Sequence, residues 1–584
     1  MKKLIYLIAI AFLLPVLSGC ENFLDTKSYT KKNSETFPIT EDDANQMLTG
    51  VYAVLNSITG SPMSTYFMVA ELAADYRFGG GGANDKEMQA FGHLMYSARD
   101  EFESFWSEHY KGIARANAAL TALETMEDGT VKDQKIGEAK FLRAHFYFEL
   151  VQLLGDVPLM KNAPENVQEA KESPPQASQE EIYTQIGTDL WDAYSTMPST
   201  KWDGVVSGTV TKWAAAGLLA RVYLFYTGFY NKTSLPREGG EVTAQQVADA
   251  LNDCIENSGH SLVSDFRSLW PYTNKVTKPD YPYAEDADDW VQDGQNPEQV
   301  FVTKMSTMAA WDPSGLTGYG NQFCLYFALR SGNNTDYHDL FPMGQGWGAG
   351  PVNSQLWDQW KIDEPNDIRR AASIYNQADE ATNYDDEWGA DRQMEETGMW
   401  QKKVVSITAA KTHDADGNPD VLWNNFTSAP AYYDNAGDDF QIGNATDLTD
   451  IRFADILLMH SEITKTANGM NRVRERVGLP AVAYSDDALR KERLHELAFE
   501  GLRWGDIRRW GIAEQVLGKV YGVPIRNEGK LTVMKPQGVG VVARYQATKG
   551  FFMIPQPEVD LANGALTQNA GWGTDAIFNS WNDN

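Results

Sequence analysis

Apolar residues in this chain recur mostly at helical spacing. Ala44, Met47, Leu48, Val51, Tyr52 and Leu55 fall three or four positions apart behind the polar start at 40–43, which predicts an amphipathic helix. Ser178 with Glu181, and Thr243 with Gln246, have the spacing of capping boxes, in which two backbone N–H groups at a helix start are satisfied reciprocally. Each precedes an apolar stripe: Ile182, Ile186, Leu190 and Ala193 in one, Val247, Leu251 and Cys254 in the other. Further helices are predicted over 101–126, 133–154, 211–227, 450–466 and 486–510. From about 260 to 448 the pattern changes. Gly, Pro, Asn, Asp, Trp and Tyr dominate there, so loops, short strands and short helices are expected.

Two of the predicted helices share a motif. Ala139, Leu142, Ala144 and Tyr147 recur 76 residues later as Ala215, Leu218, Ala220 and Tyr223. The small Ala lets a neighbouring helix approach closely and the Tyr fills the groove one turn on. With one further helix between them, this suggests stacked helix–turn–helix pairs similar to tetratricopeptide repeats. The N-terminus has a different pattern. Lys2 and Lys3 precede an apolar run over 4–17, which ends in Leu17-Ser18-Gly19-Cys20. This is the build of a secretory signal peptide, and the run is too short for a comfortable membrane span of roughly 18 or more residues. The ending resembles the lipobox of bacterial lipoproteins, in which the Cys thiol is acylated and becomes the new first residue. Export and lipid anchoring through Cys20 follow, with lipid the only membrane attachment. Stable anchoring takes more than one acyl chain. The polar stretch 21–37 reads as a flexible tether.

Composition narrows the picture. A hydrophobic content of 42% fits a packed globular body. No long Pro/Ser/Gly linker divides the chain, so one large unit with sub-domains is expected. Formal net charge is −30. Nucleic-acid binding needs a basic footprint and is disfavoured, as is docking on anionic lipid head groups; a neutral ligand is favoured over a polyanionic one. Besides Cys20 there are Cys254 and Cys324, which could pair or remain separate. There is no GxSxG, HExxH or P-loop. Gly344 to Gly350 contains three G-x-G spacings but runs into Pro351, so it reads as a flexible or tight surface loop. Asp414, Asp416, Asn418 and Asp420 resemble the opening of a calcium loop, but Pro419 replaces the required Gly and Asn425 stands at the twelfth position. A turn is the better reading and calcium remains an option; no other cofactor is expected. With 80 acidic residues, a carboxylate pair for glycoside hydrolysis cannot be located by sequence.

The helical blocks resemble the SusD/RagB family of outer-membrane lipoproteins. The carrying segments are 20–25 (CENFLD), 106–117 (WSEHYKGIARAN), 137–159 (GEAKFLRAHFYFELVQLLGDVPL), 211–226 (TKWAAAGLLARVYLFY), 451–462 (IRFADILLMHSE), 471–479 (NRVRERVGL), 492–510 (ERLHELAFEGLRWGDIRRW) and 551–557, with Gln568 and Asn569. Departures are small: His460-Ser461 replaces an aromatic-Ala pair, and Asn569-Ala570-Gly571 replaces Asn-Pro-Gly. The resemblance implies a mainly α fold of about four tetratricopeptide-like helix pairs with a loop-rich, mixed variable part. It divides the chain into a signal peptide (1–19), an acylated tether (20–39), an N-terminal helical part (40–260), a variable ligand-binding part (261–449) and a C-terminal helical pair with a closing segment (450–584). It implies a non-enzymatic protein on the cell surface that captures oligosaccharide and delivers it, as a lid, to a SusC-like TonB-dependent transporter. A peptide-capturing, RagB-like subunit is the alternative within this architecture, and a glycoside hydrolase the alternative from another class. Arg143, Arg452, Arg474, Arg503 and Arg508 are expected to form helix-linking ion pairs with acids such as Asp455, Glu496, Glu500 and Asp506.

Aromatic residues carry the binding argument. There are 17 Trp, 26 Tyr and 25 Phe. A sugar ring offers C–H groups on its faces, which suit an aromatic face, and hydroxyls around its edge, which suit amides and charged groups. Loop aromatics with amides nearby are therefore the candidates: Tyr76 and Phe78 beside Asn84, then Trp270, Tyr272, Tyr283, Trp290, Trp311 and Tyr319. Trp106, Trp213 and Trp504 lie in helical motifs and are expected in the core.

Overall fold

The computed structural model describes residues 40–581, apart from 61–62, 64, 164–174, 307–309, 313–314, 318–319, 331–339, 382–392 and 433–437. Cys20, the signal peptide and the tether lie outside the described residues. The N-terminal half holds α1 (Glu41–Thr59), α2 (Tyr66–Leu72), α3 (Lys86–Gly92), α4 (Glu103–Leu123), α5 (Thr130–Leu154), α6 (Gln179–Thr196), α7 (Lys212–Phe229) and α8 (Ala244–Asn257). The starts follow from the sequence. Ser178 Oγ accepts from Glu181 N at 3.3 Å while Glu181 Oε2 accepts from Ser178 N at 2.9 Å. Thr243 and Gln246 form the same box, and so do Thr40 and Asp43.

Successive long helices pack on one another, α1 on α4, then α4 through α8 in chain order. Of the two motif helices, α5 packs between α4 and α6, and α7 between α6 and α8. Their Ala and Leu motif positions are buried, as are both tyrosines. Each tyrosine pins the chain that follows its helix: Tyr147 OH accepts from Met160 N at 2.7 Å, and Tyr223 OH donates to Thr233 O at 3.2 Å.

After α8 the chain leaves the stack and returns to it. Strand β3 (Gln299–Thr303) pairs antiparallel with β10 (Leu448–Arg452), joining the way out to the way back. Residues 450–452 are therefore strand, and the predicted helix there starts at α13 (Phe453–Thr464). Between β3 and β10 lie short helices, including α9 (Gln322–Phe327), α10 (Ser354–Asp363) and α11 (Arg369–Ser373), and two-stranded ribbons, around a second small core that includes Phe266, Tyr272, Trp400 and Phe426. Helix α13 packs on α8 and on α14 (Asn468–Arg476) and α15 (Asp486–Leu497), and the C-terminal residues share the large core of the N-terminal helices. The predicted helix 486–510 is two helices, α15 and α16 (Arg503–Arg509), broken at 498–502. The break has a local cause. Phe499 and Gly501 take φ of 67° and 76°, and Gly501 N donates to the buried Glu71 carboxylate at 2.7 Å.

The arginines join elements, as expected, with the expected Glu496 and Glu500 among their partners and with Glu298, Asp189, Glu492 and Asp75 besides. Arg452, ending β10, donates to Glu298 at 2.7 Å, Glu496 at 2.8 Å and Glu500 at 2.9 Å. Arg369 and Arg476 also reach Glu496. Burial alone would raise the Glu496 pKa, but Arg476, Arg452 and Arg369 hold it well below the ordinary carboxylate value. Such a buried cluster is tolerable because its members pair with one another. Arg143 pairs with Asp189, Arg474 with Glu492, and Arg503 with Asp75. Arg508 is the exception. It donates to the carbonyl of Gln152 at 2.6 Å and lies over Phe229, Phe551, Phe225 and Trp504, and among the described residues no carboxylate forms an ion pair with it. Cys254 and Cys324 are buried free thiols and do not pair.

Candidate functional site

The glycine run 79–82 is fixed by close backbone contacts. Gly350 N donates to Gly79 O at 3.0 Å and Gly81 N to Gly348 O at 2.8 Å. Gly80 and Gly81 take φ of 71° and 68°, and a Cβ on Gly80 would strike the Gly348 carbonyl and the Pro351 ring, so a side chain is excluded at that crossing. The opposing segment 344–350 is consequently not the flexible or tight surface loop expected from its glycines: most of it is buried. It runs along the chain after α9, with Gly346 N, Trp347 N, Gly348 N and Ala349 N donating to the carbonyls of Leu329, Leu325, Ala328 and Tyr326 at 2.8–3.0 Å.

Beneath this crossing, Glu71 on α2 accepts from Tyr76 OH at 2.6 Å and pairs with Arg77. Arg77 Nε donates to Gly350 O at 3.0 Å, and its guanidinium lies 4.1 Å from the Phe327 ring centroid. Burial, then the Glu71 charge, push the Tyr76 hydroxyl pKa well above its ordinary value. Tyr76 and Phe78 are thus core residues, 2% and 3% exposed, and do not face a ligand as sequence suggested. They are the footing of what lies above. Asn84, at the loop tip, is exposed.

Above the crossing sits a half-buried aromatic pair. Tyr326 and Trp347 meet edge to face, centroids 4.6 Å apart. Beside them Asp85 Oδ2 accepts from Arg330 Nη1 at 2.9 Å and from Gly82 N at 2.6 Å. The Tyr326 hydroxyl pKa is raised, first by burial and then by Glu87 and Asp85. Two rings, an exposed amide at Asn84 and the Arg330–Asp85 pair therefore form one shelf on an immobilised backbone. Sequence reasoning missed Tyr326, Arg330 and Trp347. Tyr326 was hidden in the short apolar run 323–327. The clue for Trp347 was one large ring within a glycine run: glycines let the backbone press inward while the ring stays at the surface.

The remaining candidates separate. Tyr272 is fully buried and its hydroxyl donates to Ala372 O at 3.0 Å. With Tyr281, Tyr283 and Tyr375 it surrounds the Lys402 ammonium, 3.8 Å from the Tyr283 centroid and 5.5 Å from that of Tyr272, and Glu380 completes the cage at 2.8 Å. The protein's own cation occupies the faces expected to meet a sugar, although Tyr283 keeps partial exposure. Trp270 is 8% exposed and lies under Lys403, 4.7 Å from its centroid. Trp290 is half-buried and stands edge-on to Phe426 at 5.5 Å. Trp311 lies on the short strand Ala310–Asp312, and Tyr319 lies outside the described residues.

Trp270 and Trp290 line a narrow cleft that also meets Asp293 and Asp447. Burial, then the Asp447 charge, raise the Asp293 pKa to about 7. Both carboxylates are engaged: Asp293 accepts from Gln299 Nε2 at 3.0 Å and Asp447 N at 2.9 Å, and Asp447 accepts from Met305 N at 2.9 Å and pairs with Lys304. Asp414 closes a hairpin turn between β8 (Ala409–His413) and β9 (Pro419–Trp423), its Oδ1 accepting from Asp416 N and Asn418 N at 2.9 and 2.8 Å. Among the described residues no three His, Cys, Asp or Glu side chains gather as a metal site, and nothing supports calcium at 414–420. No described helix is long and apolar enough to cross a membrane.

A helical stack with a loop-rich part inserted between its eighth helix and the rest defines a mainly α scaffold. Comparison with known proteins is consistent from end to end. The family described as "Starch-binding associating with outer membrane" matches residues 22–224, and the family described as "SusD family" matches 287–572. The chain belongs to the SusD/RagB family. It is 24% identical over 600 residues, 98% of this chain and all of the relative, to "SusD-like protein P2" of Formosa agariphila. Its fold is similar to that of a "Laminarin binding SusD-like protein", with TM-score 0.66, 23% identity and coverage of 91% of this chain and 100% of that one. It is also similar to "Surface glycan-binding protein A from Bacteroides thetaiotaomicron in complex with laminarihexaose", with TM-score 0.63, 18% identity and coverage of 90% and 99%.

Proposed function

We propose that this protein is a non-enzymatic, lipid-anchored protein of the outer-membrane surface that captures a neutral oligosaccharide and passes it to a TonB-dependent transporter. The observation that carries the reading is the shelf of Tyr326 and Trp347 beside Asn84, Arg330 and Asp85. Its half-exposed rings offer apolar faces to sugar C–H groups, and its amide and ion pair offer donors and acceptors to hydroxyls. The backbone below is locked before any ligand arrives, which lowers the ordering cost of binding. The family membership, together with two similar structures, one a laminarin-binding protein and the other in complex with laminarihexaose, supports a carbohydrate as ligand. The acidic surface favours a neutral one.

The test is titration of the mature protein with laminarin, starch and xylan by calorimetry or affinity electrophoresis. At least one should bind saturably, and Trp347→Ala should weaken it roughly tenfold or more, the loss of one buried ring contact, while the melting temperature changes little. Unchanged affinity in a folded Trp347→Ala protein would move the site elsewhere. Binding of peptides in place of all three glycans would favour the peptide-capture reading.

A further inference from the structure

Near the C-terminus, β11 (Pro524–Asn527) and β12 (Lys530–Val533) form a hairpin. Glu528 and Gly529 make its two-residue turn at φ 49° and 76°, the positive values that a tight hairpin turn favours. The hairpin is tied to the segment beside the glycine run. Arg526 N donates to Glu396 O at 2.8 Å and Glu396 N to Arg526 O at 2.9 Å. Glu395 N donates to Asn527 Oδ1 at 2.8 Å, and Met394 N to Gly81 O at 2.8 Å. A continuous run of hydrogen bonds therefore leads from the glycine crossing under the shelf out to this hairpin.

These bonds fix where the backbone groups point, because successive residues of a strand turn their N–H and C=O to opposite sides. Arg526 turns its pair to Glu396, so Ile525 and Asn527 turn theirs toward β12, where Thr532 and Lys530 stand opposite. Leu531 and Val533 then turn theirs away from the hairpin. Among the described residues no strand pairs along that edge. The side chains are open as well: Leu531 is 69% exposed and Val533 38%, and exposed Pro524 stands opposite Val533 on the same face. An open aliphatic edge is a template for a further strand, which proteins commonly blunt with charge or proline. Neither interrupts 531–533.

Charge selects among occupants. Residues 519–535 hold four Lys or Arg and one Glu, in a chain of net charge −30, and Lys519 and Lys530 are exposed. A second copy would bring another strongly acidic body and a like-charged edge to this place. A lipid surface meets lysines and aliphatic groups but offers no backbone to pair with the edge. An acidic extended polypeptide matches the edge, the aliphatic face and the charge together. We infer that β12 is a docking edge for an extended, acidic segment of a partner protein, which adds as a strand beside Leu531 and Val533 with carboxylates toward Lys530.

The experiment titrates the mature protein at low salt with an eight-residue peptide alternating valine and glutamate, and with its valine–lysine counterpart, by fluorescence anisotropy. The acidic peptide should bind saturably and more weakly as salt rises, and the basic one should not bind. Val533→Pro removes an N–H that faces away from β11, where a sheet edge tolerates proline. It should keep the parent's melting temperature and bind the acidic peptide about 3- to 10-fold more weakly, the worth of one backbone hydrogen bond. Lys530→Glu leaves every backbone bond in place and should weaken binding roughly 2- to 5-fold, the worth of an exposed ion pair. The inference is overturned by no saturable binding, by equal binding of the two peptides, or by parental affinity in either variant. Dimerisation lost in Val533→Pro would give the edge to a second copy, and binding to phosphatidylglycerol vesicles lost in Leu531→Asp would give it to a membrane; each overturns the inference. No glycan enters these titrations, so this inference and the shelf can fail separately.

Discussion

Single residues here divide by what their polar atoms meet. Tyr76 and Trp347 are both large loop aromatics, yet the Tyr76 hydroxyl is spent on Glu71 while Trp347 stays half-exposed. Their substitutions should behave oppositely. Glu71→Ala leaves Arg77 buried without its carboxylate and removes the acceptor of Tyr76 and Gly501, so a loss of roughly 3–5 kcal/mol is expected in chemical denaturation. A loss under about 1 kcal/mol would show that water reaches this pair. Sequence could rank these aromatics only by their neighbours in the chain. It could not see Lys402, which comes to Tyr272 and Tyr283 from more than a hundred positions away and closes a cage of rings.

At the scale of elements, helix starts were legible because a capping box is local: Ser178 and Glu181, or Thr243 and Gln246, make their bonds within four residues. The break between α15 and α16 was not legible, because Glu71 on α2 and the Phe67 ring impose it from 430 positions away or more. Gly501→Ala should test this. At φ 76° a Cβ is strained and would sit 2.7 Å from Phe67 Cδ2, so the cost should exceed the roughly 1 kcal/mol gained where glycine is replaced in a compatible conformation. The expected outcome is a lower melting temperature with faster amide exchange over 498–503. A variant as stable as the parent would mean that α15 and α16 can join.

At the scale of the whole molecule, pH and anchoring are the levers. Burial raises the Glu396 pKa to about 8, against partial opposition from Arg526. The folded state then holds a proton that the unfolded state releases near 4.5. Its contribution is fully present below about 4.5 and is lost as pH rises toward 8. Glu396→Gln should flatten the fall of melting temperature between those values, and a parallel shift of the whole profile would assign the effect to other groups. Asp455 behaves in the opposite sense. Burial would raise its pKa, but Arg493 and Arg221 lower it to about 2, so its stabilisation is lost only as pH falls through about 4 to 2. On the proposed lipid-anchored reading, Cys20→Ala should leave glycan affinity intact and impair uptake by cells; unchanged uptake would overturn the proposed role of the anchor in delivery.

The sequence by itself determined most of the long helices, the motif shared by α5 and α7, the charged residues that link the C-terminal helices and the family. These follow from periodicity, capping and local spacing, which are properties of neighbouring residues. Only the tertiary structure decided which aromatics are free. That outcome depends on contacts between distant segments: the 79–82 run crossing 344–350, Lys402 entering its tyrosine cage, and β3 joining β10 at the neck of the inserted part. A ring's exposure is fixed by what packs against it, and the sequence names the ring but not its neighbours in space.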